Sequence, residues 1–198
     1  MKLIGLTGSI GAGKSEASKI LARCGAYVID ADEVSRDAVK PGTAGAQSIR
    51  RVFGEVFFHN NGELDRKKLA ELVFNDEKAL KSLNRILHPL VLSGMKRLAQ
   101  ERSEKGAGLA VWDVPLLIEE KWNAYVDETW LVTAPDAQRL KRILQRDKCS
   151  EEQALRRMQS QAPQAVKEKY ADVIILNDGS LEELEDRVIM AYKKAVGV

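Results

Sequence analysis

The sequence predicts an α/β fold in which a five-stranded parallel sheet is flanked by helices. Five short apolar runs alternate with segments of helical spacing, at residues 3–6, 27–29, 109–112, 129–132 and 173–176. These runs are continuous rather than alternating in polarity, which is typical of strands that helices cover on both faces. The chain has 198 residues, 44% of them hydrophobic and 30% charged. This composition fits one folded domain with insertions and excludes a disordered or low-complexity protein.

Charge and cysteine content narrow the class of protein further. The 31 lysines and arginines nearly balance 29 acids, for a net charge of +2, so nothing indicates a nucleic-acid or membrane partner. No apolar stretch approaches the roughly 18 residues that a membrane span needs, and the first residues do not form a secretory signal. Two cysteines, Cys24 and Cys149, are too few for a disulfide framework or a zinc site. We expect a cytoplasmic protein, and its oligomeric state stays open.

The first strand leads into a glycine-rich segment that a helix follows, Gly8-Ser9-Ile10-Gly11-Ala12-Gly13-Lys14-Ser15. This is the P-loop pattern, with two glycines five positions apart followed by lysine and serine. Glycines allow successive N–H groups to curl around a phosphate, and the start of the helix adds its positive end. Lys14 adds a charge for the β- and γ-phosphates, and the Ser15 hydroxyl can bind Mg²⁺. The alternative is a glycine-rich turn without a ligand.

The motifs of a GTPase are missing from the sequence. No aspartate has a glycine three positions later, and Asn177-Asp178 lacks the lysine that a guanine-specific motif contains. This pattern favours another class of P-loop protein.

The second strand ends in Asp30-Ala31-Asp32. The carboxyl edge of a parallel sheet is where ligands of such folds bind, so both carboxylates are expected near the phosphates. A carboxylate can orient an acceptor hydroxyl and take its proton during phosphoryl transfer. Either residue could instead cap the following helix. For Asp30 the two interpretations are equally supported. For Asp32 we favour the role in phosphoryl transfer over the helix cap.

Residues 43–105 follow the turn at Pro41-Gly42 and contain helical spacing but no convincing strand. A simple crossover between parallel strands needs a much shorter connection, so the segment is predicted to be a helical subdomain. Within it, His88 precedes Pro89. His88 could contact substrate, or the pair could mark the start of a helix.

Asp113 ends the third apolar run. An acid in this place in a P-loop protein suggests a Mg²⁺ ligand, direct or through water. The alternative is a cap for a short helix after the strand. All three tryptophans are interpreted as packing residues.

Arginines cluster in a second insertion, residues 137–162, with Arg139, Arg142 and Arg146 spaced to share one face of a helix. A solvated charged surface is one explanation. Because the sheet already supplies a phosphate site, we favour an arginine lid that closes over ATP and excludes water. Ser150 with Gln153 and Ser180 with Glu183 predict two helix starts with capping boxes.

In combination, these motifs resemble the bacterial dephospho-CoA kinase family. The matching positions cover nearly the whole chain in order: residues 6–15, 28–32, 88–90, 114–119, Arg142, Arg146-Asp147, Gln161 and residues 177–180. A P-loop alone is shared by many families, whereas the Asp-Ala-Asp and Pro-Leu-Leu segments at these spacings are much more specific. Two positions depart from the family pattern: Ser9, where glycine is common, and Glu16, where threonine is common. We expect the Glu16 side chain to point away from phosphate.

The resemblance implies an ATP- and Mg²⁺-dependent phosphotransferase with an alcohol acceptor. Members transfer the γ-phosphoryl group of ATP to the 3′-hydroxyl of the ribose of dephospho-CoA, the last step of coenzyme A synthesis. The resemblance implies that Asp32 is the base, that Arg142 and Arg146 form the lid clamp, and that His88 faces substrate. Arg157 matches a less regular family arginine. The implied ATP-binding residues are Gly8, Gly11, Ala12, Gly13, Lys14, Ser15 and Glu16, and the candidate metal ligands are Ser15 and Asp113.

The implied architecture is a P-loop kinase fold similar to nucleoside monophosphate kinases. It divides the chain into a nucleotide-binding core (residues 1–39, 106–136 and 163–198), a helical domain for the CoA substrate (40–105) and a short helical lid (137–162). Two other functions stay open at this point. One is a nucleoside or nucleotide kinase of similar fold, and the other is a regulatory protein that binds ATP without transferring phosphate.

Overall fold

A computed structural model describes residues 1–197. The chain forms two compact units. The first contains residues 1–29 and the chain from residue 101 onward, and the second contains residues 30–100.

The sheet has five strands: β1 (Lys2–Gly8), β2 (Tyr27–Asp30), β3 (Leu109–Asp113), β4 (Glu128–Thr133) and β5 (Val173–Leu176). Their order is β2-β3-β1-β4-β5, which places β1 at the centre. Strand β1 runs parallel to β3 and β4, and β4 runs parallel to β5. Every apolar run predicted as a strand lies within one of these five, so the prediction of a five-stranded parallel sheet is confirmed.

The register of the strands places their carboxyl ends together. Leu6 of β1 is aligned with Asp113 of β3, and Gly8 of β1 is aligned with Val132 of β4. The residues that follow β1 and end β3 therefore meet at one edge of the sheet, where ligands of open α/β sheets bind.

The helices are α1 (Lys14–Arg23), α2 (Ala31–Ala38), α3 (Ala44–Phe53), α4 (Arg66–Asn75), α5 (Glu77–Glu104), α6 (Asp136–Asp147), α7 (Glu151–Gln159), α8 (Gln164–Glu168) and α9 (Leu181–Val196). Both predicted capping boxes are confirmed, since Ser150 and Gln153 cap α7 while Ser180 and Glu183 cap α9. Within residues 1–197, no helix is both long enough and apolar enough to span a membrane.

The core of the first unit lies between the sheet and the two helices α1 and α9. Its buried side chains include Ile4, Leu6, Ile20, Leu21, Trp130, Val132, Leu184 and Val188. Each buried aliphatic side chain stabilises the fold by roughly 1.5–3 kcal/mol relative to exposure. Trp112 and Trp130 are fully buried and Trp122 nearly so, which confirms the prediction that the tryptophans are packing residues.

The second unit is helical, as the sequence predicts. Its only regular pairing outside helices, within the described chain, is an isolated bridge between Phe58 and Leu64. Val39, Ile49 and Leu69 form its buried cluster, and partly buried aliphatic and phenylalanine side chains pack against them.

Pro89 lies inside helix α5. The alternative interpretation of His88-Pro89 as a helix start is therefore wrong, because α5 begins at Glu77. The proline ring has no N–H to donate, so one bond of the helical ladder is missing at this point.

Candidate active site

The segment between β1 and α1 forms a compact loop. The N–H of Ala12 donates to the carbonyl of Ser9 over 2.9 Å, which closes a turn. Gly11 and Gly13 have φ angles of +79° and +98°, in the left-handed region that side chains disfavour. A Cβ on Gly11 would lie 2.7 Å from the carbonyl oxygen of Arg139, and a Cβ on Gly13 would lie 2.1 Å from Asn177 Nδ2. The two glycines are therefore required both by backbone angle and by space.

Helix α1 begins without a side-chain cap. Its N-cap residue is Gly13, whose carbonyl accepts from Glu16 and Ala17. By contrast, side chains cap the starts of six other helices, α2, α3, α4, α5, α7 and α9. In the part of the chain that the structure describes, the N–H groups of Gly11, Gly13, Lys14 and Ser15 have no acceptor. Such a group of free N–H donors at a helix start is suited to an anion.

Lys14 is joined to Asp113 at this edge of the sheet. The Lys14 Nζ donates a hydrogen bond to Asp113 Oδ1, and both side chains are largely buried. Asp113 therefore binds the lysine of the loop. This contact brings together two residues that the sequence singled out separately.

The side-chain oxygens at this edge of the sheet are of the kinds that Mg²⁺ binds. Ser15, in the exposed first turn of α1, has a hydroxyl, and the second oxygen of the Asp113 carboxylate does not bind Lys14. Hydroxyl and carboxylate oxygens are ligands that Mg²⁺ accepts, usually with phosphate oxygens and waters completing the shell. No group of three His, Cys, Asp or Glu side chains in residues 1–197 could hold a metal ion unaided.

Glu16 lies in the first turn of α1, and its carboxylate pairs with Lys19 over 3.2 Å. The expectation that this side chain points away from phosphate agrees with that pairing. Ser9, the other departure from the family pattern, is buried, and its hydroxyl has no hydrogen-bond partner within the described chain.

Three side chains bind the carbonyl groups of the loop. Arg139 donates from Nε to Ile10 (3.0 Å), Arg142 from Nη1 to Gly11 (3.3 Å), and Asn177 from Nδ2 to Ala12 (2.8 Å). Arg142 also donates to the carbonyl of Asn177 over 3.1 Å. One further side chain accepts rather than donates: Gln161 Oε1 accepts a hydrogen bond from the N–H of Ile10 over 2.8 Å. Of these residues, Arg139 entered the sequence analysis only as one of the lid arginines, and Asn177 only as part of a matching segment, without a role of its own.

Arg146 lies one turn beyond Arg142, near the end of α6, and is exposed. Its Nε donates to Asp147 over 2.7 Å, and Arg157 of α7 donates to the same carboxylate over 2.6 Å. The hydrogen bond from Arg146, together with the charges of Arg146 and Arg157, lowers the pKa of Asp147 below its ordinary value of 3.8. One ionised carboxylate thus holds two of the predicted lid arginines together.

Asp30 and Asp32 differ in what their side chains do. Asp30 Oδ1 accepts from the N–H of Asp32 over 2.7 Å, so Asp30 caps α2. The cap interpretation is confirmed for Asp30. Asp32 lies in the first turn of α2, two residues beyond the end of β2, and is exposed.

His88 is half-buried in the middle of α5 and makes an interaction within the structure. Cys24 and Cys149 are free thiols.

A buried ion pair that sequence reasoning missed connects α8 to the segment after β3. Lys167 is completely buried, and its Nζ lies 2.9 Å from Glu119 Oε1. The same carboxylate oxygen accepts from the N–H of Ala162 over 3.2 Å. Lys167 also donates to the carbonyl of Pro115 over 3.4 Å, which in turn accepts from the hydroxyl of Thr7 in β1. Glu119 closes the quoted Pro-Leu-Leu segment, but nothing in the sequence marks Lys167 as buried.

Comparison with known proteins identifies the family to which this chain is most clearly similar. The family model described as dephospho-CoA kinase matches residues 2–183. The dephospho-CoA kinase of Carboxydothermus hydrogenoformans is 39% identical over 194 residues, which cover 98% of this chain and 94% of that protein. A crystal structure of a Thermus thermophilus protein is 36% identical, with a TM-score of 0.80 over 96% of this chain and 95% of that one. The structure of dephospho-CoA kinase from Campylobacter jejuni is 26% identical, with a TM-score of 0.69 over 98% of this chain and 97% of that one.

Proposed function

The chain belongs to the dephospho-CoA kinase family, and we propose that it transfers the γ-phosphoryl group of ATP to the 3′-hydroxyl of the ribose of dephospho-CoA. The products are coenzyme A and ADP. The observation that carries this proposal is the uncapped start of α1, with its free N–H groups, beside the ion pair of Lys14 and Asp113. Such an arrangement suits a polyphosphate bound to a cation.

In this proposal the loop holds the phosphates of ATP. The free N–H groups face the phosphate oxygens, and Lys14 neutralises charge on the β- and γ-phosphates. The ATP-binding set is Gly8, Gly11, Ala12, Gly13, Lys14, Ser15 and Glu16. Ser15 and Asp113 would hold Mg²⁺, which supplies positive charge to the phosphate oxygens and favours their in-line alignment.

Asp32 is proposed as the group that orients the 3′-hydroxyl and takes its proton. The bond from O3′ to the γ-phosphorus forms while the bond from that phosphorus to the leaving oxygen of ADP breaks, and the hydroxyl proton passes to the Asp32 carboxylate. Two features support the assignment: the carboxylate is exposed, and it follows the carboxyl end of a strand, where ligands of such sheets bind. The proton is transferred late, so an ordinary carboxylate suffices.

We propose that Arg142 and Arg146 clamp the phosphates from a lid of residues 137–162. Support comes from the contact of Arg142 with the carbonyl of Gly11 in the loop, and from Asp147, which orients Arg146. Guanidinium groups match phosphate oxygens in pairs of hydrogen bonds. Closure of such a lid excludes water that would otherwise take the phosphoryl group.

The remaining assignments complete the proposal. Residues 40–105 form the domain that binds the CoA substrate, with His88 facing it, and residues 1–39, 106–136 and 163–198 form the nucleotide-binding core. The partners are the small molecules ATP and dephospho-CoA, with Mg²⁺ as the metal, and the compartment is the cytoplasm.

An acceptor panel tests the proposed function. The protein is incubated with Mg²⁺ and ATP plus dephospho-CoA, AMP, a nucleoside or no acceptor, and the products are identified by mass spectrometry. We expect coenzyme A with dephospho-CoA and no other phosphorylated product at a comparable rate. Faster transfer to AMP or to the nucleoside would move the protein to another substrate. Absence of any transfer in a folded sample that binds ATP would contradict the kinase assignment.

A further inference from the structure

Two carbonyl groups of the phosphate loop are bound by buried side chains that come from distant parts of the chain. We propose that Arg139 and Asn177 are positioning residues, which hold the carbonyls of Ile10 and Ala12 and thereby aim the N–H groups of Gly11 and Gly13 at bound phosphate. The inference rests on the proposed function only in taking the phosphates of ATP as the ligand.

The geometry of the peptide bond connects these carbonyls to the phosphate donors. Residues 1–197 contain no cis peptide bond, and in a trans peptide the C=O and the following N–H point in opposite directions. A hydrogen bond that fixes the Ile10 carbonyl therefore fixes the Gly11 N–H on the other side of the same plane. The Ala12 carbonyl fixes the Gly13 N–H in the same way. Both of these N–H groups have no acceptor within the described chain.

The contacts of Arg139 fix its side chain against the Ile10 carbonyl. It is 4% exposed, its Nε donates to the carbonyl of Ile10, and its Nη1 donates to Asp136 Oδ1 over 2.6 Å. The main chain of Arg139 also lies against Gly11, so close that a Cβ there would collide with it. Because Nε donates to the loop and Nη1 donates to Asp136, the guanidinium affects phosphate binding by orienting the loop.

Asn177 holds the other end of the loop. It is 7% exposed, lies directly after β5 and donates to the carbonyl of Ala12 over 2.8 Å. Its side-chain oxygen accepts from Arg142 Nη2 over 3.3 Å, which fixes the orientation of the amide. Gly13 has no room for a side chain because this amide occupies the space. The amide is therefore locked on the side where it can donate to Ala12.

The test measures ATP binding and the loop itself, and neither measurement needs an acceptor substrate. The variants are Arg139→Met, Arg139→Lys and Asn177→Ala. The matched control is Arg23→Met, because Arg23 is also an arginine paired with an acid, Glu185, over 2.6 Å, but it lies at the C-terminal end of α1, away from the loop. Calorimetry gives the dissociation constant for ATP, NMR gives the amide signals of Gly11 and Gly13, and a melting curve gives stability. The KM for dephospho-CoA is measured as well.

We expect Arg139→Met and Asn177→Ala each to weaken ATP binding about ten-fold, the loss that one charge-assisted or buried hydrogen bond typically causes. The Gly11 or Gly13 amide signal should shift in these two variants. Their KM for dephospho-CoA, and the ATP affinity of Arg23→Met, should stay within two-fold of the parent protein. The ATP affinity of Arg139→Lys should lie between those of Arg139→Met and the parent protein. A lysine can donate to the Ile10 carbonyl or to Asp136, but it lacks the planar guanidinium that binds both at once.

Two results would overturn the inference. One is ATP affinity within two-fold of the parent in Arg139→Met and Asn177→Ala with unmoved glycine signals. The other is a lower melting temperature with unchanged ATP affinity of the folded protein, which would assign the two residues a structural role only. If Arg139→Met does not fold, Arg139→Lys and Asn177→Ala decide the outcome by the same criteria. Failure of the acceptor panel would leave this ATP measurement intact.

Discussion

Lys14 donates a hydrogen bond to Asp113 across a separation of 99 residues. The contact joins the phosphate loop to the end of β3, and both side chains lie largely out of solvent. The pair therefore orients the lysine, and its carboxylate is the one proposed to hold Mg²⁺.

Asp113→Asn tests this relationship while preserving side-chain shape. Loss of the negative charge removes the ionic partner of Lys14 and one of the proposed metal ligands, so we expect kcat to fall about 100-fold, as for a misplaced catalytic group. The Mg²⁺ concentration needed for half-maximal rate should rise at fixed ATP. Asp172→Asn is the control, because Asp172 also accepts a hydrogen bond, from the N–H of Thr129, but at the start of β5. Equal Mg²⁺ dependence in both variants would contradict the assignment of Asp113.

Gly13→Ala tests the space inside the loop. The new Cβ would lie 2.1 Å from Asn177 Nδ2, so either the loop or the Asn177 amide that binds the Ala12 carbonyl must move, and ATP binding should be lost in a titration. Gly42→Ala is the matched control, since Gly42 has a φ of +85° but nothing within 4 Å of the added Cβ. We expect the control to lose about 1–2 kcal/mol of stability from backbone strain alone and to bind ATP normally. Normal ATP binding by Gly13→Ala would refute the account of the loop.

The sequence predicted those parts of the site that carry a local pattern. The glycine spacing before Lys14 and the acid at the end of the strand, Asp113, are each recognisable without knowledge of a partner. Likewise, the five apolar runs predicted the sheet because strands buried on both faces leave a continuous apolar signal. Serine and a polar residue three positions later predicted the starts of α7 and α9 for the same local reason.

The parts that were missed depend on contacts between distant residues. Helical spacing placed Arg139 and Arg146 on one face of α6, yet the side chain of Arg139 is 5% exposed and that of Arg146 is 63% exposed. Spacing defines a face but not which of its turns lies against another part of the chain. Lysine is rarely buried, so the sequence offered no reason to place Lys167 in the interior beside Glu119.

The ion pair between the buried Lys167 and Glu119 predicts that substitutions of these two residues have coupled effects on the free energy of unfolding. Lys167→Met leaves the partly buried carboxylate without its partner, and we expect a loss of about 3–5 kcal/mol in urea unfolding. The double variant Lys167→Met/Glu119→Gln should lose less than the two single variants combined. Lys81→Met, which breaks the exposed pair with Glu77, should leave the unfolding midpoint in place. A double variant as unstable as the sum of the single variants would show that the two residues are not coupled.

The pKa of Asp147 predicts how the arginine cluster responds to acid. Because the hydrogen bond from Arg146 lowers this pKa, the ionised pair is fully present above the ordinary carboxyl range and is lost only as pH falls through the lowered value. A carbon NMR titration should therefore show Asp147 still mainly ionised at pH 3.8, its ordinary pKa. Arg146→Gln should move the pKa back towards that value, and Arg157→Gln should move it less. An Asp147 that titrates at its ordinary value in the parent protein would contradict this geometry.

The role of Asp32 is the central chemical claim, and a single-turnover measurement tests it most directly. ATP and dephospho-CoA are mixed with excess enzyme, coenzyme A is quantified with time, and phosphorus NMR locates the new phosphate on the ribose. The variants are Asp32→Asn and, as the control on the same helix, Asp37→Asn, whose side chain pairs with Lys40. We predict transfer to the 3′-oxygen, slowed at least about 100-fold by Asp32→Asn with both substrates still bound, and unchanged by Asp37→Asn. Transfer by Asp32→Asn within a few-fold of the parent rate, or a phosphate on another oxygen, would contradict the account.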